Sequence, residues 1–154
     1  MQWMRERLNK DEGFTLVELM VVVLIIAILI AIAIPTFLGA RRGAQDRAAQ
    51  AQVRNALVAE KAFYVDNNDY TGVLADIQAL EPNLAAVTLS QPAGNADVVC
   101  IEFQSETTTF FQLWESAANG TAYNSGAAAL AACPDDPVGG GIPAGWSADQ
   151  ATGW

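Results

Sequence analysis

The longest apolar run in the chain extends from Leu19 to Ile34. It lies inside a segment, Phe14 to Leu38, in which only Thr15, Glu18, Pro35 and Thr36 are not apolar. As a helix, these roughly 25 residues are long enough to cross a hydrocarbon core about 30 Å thick. Glu18 is the one ionisable group among them. A carboxylate at mid-bilayer costs roughly 2.5 to 3.5 kcal/mol on insertion scales and less near the interface, so its presence asks for a functional explanation.

From Ala40 to Val65 the pattern changes without breaking. Ala, Gln, Arg, Glu and Leu dominate, and Ala49, Val53, Ala56, Leu57, Phe63 and Tyr64 recur at helical spacing. The pattern predicts one helix of about 52 residues from Phe14 to Val65, about 78 Å long. Pro35 lacks a backbone donor and crowds the preceding turn, so a kink or local unwinding is expected there, with Gly39 lowering helix propensity further. Asp66-Asn67-Asn68-Asp69-Tyr70-Thr71-Gly72 ends the helix. It is no calcium loop of the EF-hand type, because Tyr70 and Thr71 stand where an oxygen ligand and a glycine are needed.

Leu74, Ile77 and Leu80 mark a short helix over Val73 to Leu80, stopped by Glu81-Pro82. After Val87-Thr88-Leu89 and a Pro-Ala-Gly-Asn turn, the pattern becomes that of strands. Val98 to Gln104 and Thr108 to Glu115 read as an antiparallel hairpin, and Thr121-Ala122-Tyr123 as a third, short strand after an Asn119-Gly120 turn. The sequon Asn119-Gly120-Thr121 is explained by that turn. From Cys133 onward, Pro134, Pro137, Pro143 and Gly139-Gly140-Gly141 argue against regular structure. Trp146 and Trp154 either pack this tail down or form an exposed contact surface.

Charge sharpens this picture. The 154 residues carry a net charge of −9, and all eight basic residues lie at or before Lys61. Eleven acidic residues and no Lys or Arg follow it. Such a surface cannot neutralise phosphates, so direct nucleic-acid binding is not expected of it, and it repels further copies of itself. Self-assembly must then be driven by the apolar, mixed-charge first third. About 100 to 115 residues remain for one small domain outside the membrane.

The chain has no histidine. A Ser-His-Asp or Cys-His set is therefore absent, as is a charged clamp for an anionic substrate beyond Lys61, and an enzyme is not expected. Asp135-Asp136 reads as a solvated pair. Cys100 and Cys133, an even count in an exported domain, read as a disulfide or as two buried thiols. If formed, the bridge would close a loop of about 34 residues and stabilise the fold by roughly 3 to 4 kcal/mol. No cofactor and no metal site is expected.

The leader, Met1 to Gly13, carries Arg5, Arg7 and Lys10 ahead of the apolar run, together with Glu6, Asp11 and Glu12. Arg41, Arg42, Arg47 and Arg54 crowd the other side, so charge alone does not orient the segment. A secretory signal cut at Ala31-Ile32-Ala33 or Leu38-Gly39-Ala40 is one reading of the run. Thr15-x-x-Glu18 ahead of it is also a capping box.

Gly13-Phe14-Thr15-Leu16-Val17-Glu18 before a long apolar run, with Pro35 in the helix, resembles the class III signal of type IV pilins and pseudopilins. The resemblance implies an α+β fold: a long N-terminal α-helix, transmembrane and then amphipathic, packed on a small antiparallel sheet. On that plan residues 1–13 are a cleaved leader, 14–38 the transmembrane and polymerisation helix, and 39–65 its amphipathic continuation. Residues 66–97 form a connecting loop with a short helix, 98–133 the sheet head, and 134–154 a Gly/Pro-rich tail.

The resemblance further implies cleavage after Gly13 by a prepilin peptidase, N-methylation of the new first residue Phe14, and a role for Glu18 in assembly. Glu18 would pair with the Phe14 ammonium of a neighbouring subunit, each charge offsetting the other's desolvation and fixing register. The implied product is a helical homopolymer, a surface pilus serving adhesion, twitching motility or DNA uptake. Its implied partners are further copies of the chain, the peptidase, an inner-membrane assembly platform and, indirectly, an assembly ATPase. The precursor would sit in the cytoplasmic membrane and the product outside the cell. A pseudopilin of a type II secretion or competence machine, and an anchored or secreted envelope domain that never polymerises, are the alternatives.

Overall fold

The apolar and half-apolar patterns that follow Phe14 belong to one helix, α1, Leu16–Asn67. The computed structural model describes residues 14–149, 153 and 154, so the leader and Gly13 lie outside the described residues. After α1 come α2 (Leu74–Leu80) and four strands, β1 (Thr88–Ser90), β2 (Val98–Gln104), β3 (Phe110–Ser116) and β4 (Gly120–Gly126). The chain divides into two compact units, Met1–Ala40 and Arg41–Trp154. Helix α1 contributes residues to both.

In the first unit every described residue is exposed, including the whole apolar run. The most apolar 18-residue window of α1 has a mean hydropathy of 3.3 and no buried residue. A surface of this kind is not stable in water and calls for lipid or for other apolar helices around it. The unwinding expected at Pro35 is not seen, and the helix passes through it. Thr36 Oγ1 donates to the carbonyls of Ile32 at 3.1 Å and Ala33 at 2.9 Å, so carbonyls beside the missing donor gain a partner.

In the second unit α1 buries a stripe made of Ala49, Val53, Ala56, Ala59 and Glu60. The helix ends two residues beyond Val65. Asn68 takes a left-handed conformation with φ 57°, its N–H bonded to the Tyr64 carbonyl at 2.8 Å, and asparagine is one of the few residues that accepts this cap geometry.

The strands form one antiparallel meander in the order β1-β2-β3-β4. Its register sets Ile101 against Leu113 and Leu113 against Tyr123 on one face, and Cys100 against Trp114 and Trp114 against Ala122 on the other. The first face packs with the α1 stripe, Tyr70, Ile77, Leu84 and Val87 in the main core. The second, with Val98, is covered by Cys133, Leu130, Ile142 and Trp146. Strand β2 thus has buried residues on both faces, which is why Val98 to Ile101 read as a continuous apolar run. Each large side chain so buried contributes roughly 1.5–3 kcal/mol.

Two expectations are corrected. The sheet has four strands and not three, since Thr88–Ser90 pairs with Cys100 to Glu102 as an edge strand. The expected short strand at 121–123 is a full partner of β3 over Gly120–Gly126. Gly120, at φ 82°, makes the turn that a residue with a Cβ resists, and Ser116 caps it by accepting the N–H groups of Ala118 and Asn119. Among the described residues the tail from Cys133 to Asp149 is irregular, apart from one antiparallel bridge between Tyr123 and Ser147.

Candidate assembly segment and its supporting head

At the start of α1, Thr15 and Glu18 satisfy each other's helix-end donors. The Thr15 N–H and hydroxyl both donate to Glu18 Oε2, at 2.9 and 2.7 Å, while the Glu18 N–H donates to Thr15 Oγ1 at 3.2 Å. This is a reciprocal capping box, and it aims the carboxylate back toward the chain ahead of the helix. Phe14, just before the box, is 84% exposed. One carboxylate oxygen, Oε2, takes both bonds from Thr15, so Oε1 is left for another donor. Leu19, Met20, Val23, Leu24 and Ala27 line an apolar groove on the same helix, where the small Ala27 leaves room for a neighbouring helix to approach.

The head holds its shape through three buried carboxylates that sequence reasoning did not single out. Glu115 on β3 is ion-paired to Lys61 of α1 at 3.0 Å and accepts hydroxyl bonds from Tyr70 and Thr121. Glu102 on β2 accepts from Gln112 Nε2 at 2.7 Å and from the Leu130 N–H at 2.6 Å, which ties the sheet to the chain beyond β4. Glu60, fully buried, accepts the Thr71 N–H at 3.0 Å. Burial pushes the Glu60 carboxyl up to about 7, with the Thr71 N–H opposing and Asp76 adding to the rise. Burial, followed by the charge of Glu115, also raises the Tyr70 hydroxyl.

A signal for Glu60 was present in the spacing. Residues 49, 53, 56 and 60 follow one helix face, so a carboxylate at 60 falls on the apolar stripe. Glu102 and Glu115 carried no such signal, because each occupies a position on an alternating strand that an apolar residue would fill as well.

Cys100 on β2 and Cys133 are joined in a disulfide, with Cα atoms 5.6 Å apart. The bridge fastens the start of the tail to the outer sheet face, where Trp114 Nε1 donates to the Pro134 carbonyl at 3.0 Å. The choice left open for the two tail tryptophans falls on packing. Trp146 joins the outer cluster, and Trp154 packs against the main core, edge-on to Phe111 and Tyr123. Among the described residues no group of three or more acidic or cysteine side chains is placed to hold a metal.

Glu18 and Pro35 thus lie on the exposed apolar part of α1, with Phe14 just ahead of it, whereas Cys100 and Cys133 lie in the head. Residues 8–34 match the family model described as the prokaryotic N-terminal methylation motif. The type IV wide pilus major component PilA4 of Thermus thermophilus is 38% identical over 96 residues, which cover 61% of this chain and 73% of that protein. With the motif at the head of the apolar helix, the sheet domain behind it and this degree of identity, the chain belongs to the type IV pilin family.

Proposed function

We propose that the chain is the structural subunit of a type IV pilus. It is made as a membrane precursor with residues 41–154 outside, cut after Gly13 by a prepilin peptidase, and methylated on the amino group of Phe14. It then passes through an inner-membrane assembly platform, driven indirectly by an ATPase, into a homopolymer built on α1. The observation that carries this reading is the Thr15–Glu18 capping box opening a helix whose apolar run, Leu19 to Ile34, is wholly exposed. Transfer from lipid into a bundle of like helices gains little hydrophobic energy, so close packing at Ala27, Ala31 and Ala33 and charge pairing at Glu18 carry the assembly. The role is mechanical and not catalytic.

The Thermus relative, a major component of a wide pilus, supports a long surface fibre over a short secretion pseudopilus. Intact mass of the native protein tests the processing. Loss of residues 1–13 with one added methyl is expected, and a cut after Ala33 or Ala40 would overturn the reading. Electron microscopy of cells with and without the protein then tests for the fibre, and the absence of any difference would leave an anchored envelope domain.

A further inference from the structure

Within the unit Arg41–Trp154 charge is sorted to two ends of α1. Of its five basic residues, Lys61 is paired with Glu115 and Arg54 lies over the Trp154 ring, 5.2 Å from its centroid. The remaining three, Arg41, Arg42 and Arg47, are exposed at the start of the unit and make no ion pair among the described residues. Asp46 and Glu106 share that end, but each is engaged by its own chain. Ser105 and Thr107 donate to Asp46, and Gln45 donates to Glu106.

At the other end Asp66, Asp69 and Asp76 are exposed around the close of α1 and on α2; Asp76 also accepts the Thr71 hydroxyl at 2.9 Å, and none of the three is ion-paired among the described residues. Arg47 and Asp66 are 19 positions apart on one helix, about 28 Å at its usual rise. That is more than three Debye lengths at physiological salt, about 8 Å each, so the two ends do not neutralise each other within one chain.

We propose that the arginine end of one subunit docks on the aspartate end of a second copy of the same chain. A two-fold antiparallel contact would also set unlike ends together, but it closes after two copies, whereas a head-to-tail contact sets them together and leaves one end of each kind free. The polymer reading selects the second. Such a contact propagates as a filament and offsets the repulsion expected of the acidic head surface. The inference rests on the polymer reading above and adds to it where the heads meet.

Charge reversal of the full chain, expressed in cells that assemble it, tests the contact. The basic-end variant carries Arg41→Glu, Arg42→Glu and Arg47→Glu. The acidic-end variant carries Asp66→Lys, Asp69→Lys and Asp76→Lys. The readouts are filament recovered by shearing, processed protein in the membrane, and mobility without reductant, which reports the Cys100–Cys133 bridge as a mark of folding.

Each variant alone is expected to lose at least about tenfold in sheared filament, since like charges then face each other. Processed, oxidised protein should stay in the membrane. The chain carrying all six reversals should recover filaments, because its two ends are again complementary. Normal filament from either single-end variant, or no recovery in the six-fold variant, overturns the contact. Loss of membrane retention confined to the basic-end variant also overturns it and assigns the arginines to anionic lipid headgroups. If the unaltered chain makes no filament, the parent reading fails and the contact with it.

Discussion

Glu60 binds the N–H of Thr71 through Oε2 at 3.0 Å, while its Oε1 is buried without a hydrogen-bond partner. One carboxylate therefore pins the loop after α1 to the helix and also carries an unsatisfied atom. A charged group held in this way favours its neutral form, which is the origin of its rise to about 7 from a usual value of 4.5.

The stability of the head should consequently fall with rising pH. The folded-state value lies above the unfolded one, so the folded head holds its proton more tightly. The full contribution is present below about pH 4.5 and is lost progressively until about pH 7, beyond which Glu60 adds no further slope. A rise of this size corresponds to about 3 kcal/mol. Urea unfolding of the detergent-solubilised chain at pH 5 and pH 8 measures it. Glu60→Gln keeps an acceptor for Thr71 and cannot ionise, so the part of the pH difference due to this residue should vanish.

The fold was legible where a pattern repeats. Helix α1 and strands β2 and β3 follow from apolar spacing over seven residues or more. Strand β1 did not, because Thr88–Ser90 is three residues long and too short to show a period. Strand β4 was underestimated because its outer half, Asn124, Ser125 and Gly126, is polar or small and is held by pairing to β3 rather than by its own burial. The motif residues at 13–18 were legible because their chemistry is local. Glu60 showed only as a position on the apolar stripe of α1, and Glu102 and Glu115 not at all, since the partners of these carboxylates lie 6 to 54 positions away and only folding brings them together.

The Cys100–Cys133 bridge should account for much of the order in the tail. Sequence separation is 33, for which loss of the cross-link destabilises by roughly 3 to 4 kcal/mol. Cys100→Ser with Cys133→Ser, compared with the oxidised protein in urea, should show that loss. Limited proteolysis should cut first between Leu130 and Ile142, where prolines and glycines leave little backbone pairing once the bridge is gone.

Trp154 should behave as a clamp on the inner core. Its Nε1 is shared between the carbonyls of Gln112 at 3.1 Å and Asn124 at 2.9 Å, and its ring meets Tyr123 edge-on with centroids 4.8 Å apart. Trp154→Ala should cost about 2 kcal/mol, below the range for a fully buried tryptophan because the ring is only half-buried. Trp154→Phe restores the ring contacts without the N–H, and should recover about half of that in the same unfolding experiment.

Glu18 combines two roles that one substitution can separate. As the third helical residue, closing the capping box, it accepts the N–H of Thr15, a role that glutamine fills nearly as well. As a charge it would neutralise the ammonium of Phe14 on a neighbouring subunit, a role that glutamine cannot fill. Glu18→Ala removes both and should loosen the helix start in addition to its effect on assembly. Glu18→Gln is the sharper test. If pairing drives assembly, it should be processed like the unaltered chain, remain in the membrane, and yield few or no filaments in the sheared fraction, because the buried ammonium would be left without a counter-charge. Filaments in normal amount from Glu18→Gln, with Glu18→Ala still defective, would assign the residue to capping alone and remove charge pairing from the assembly step.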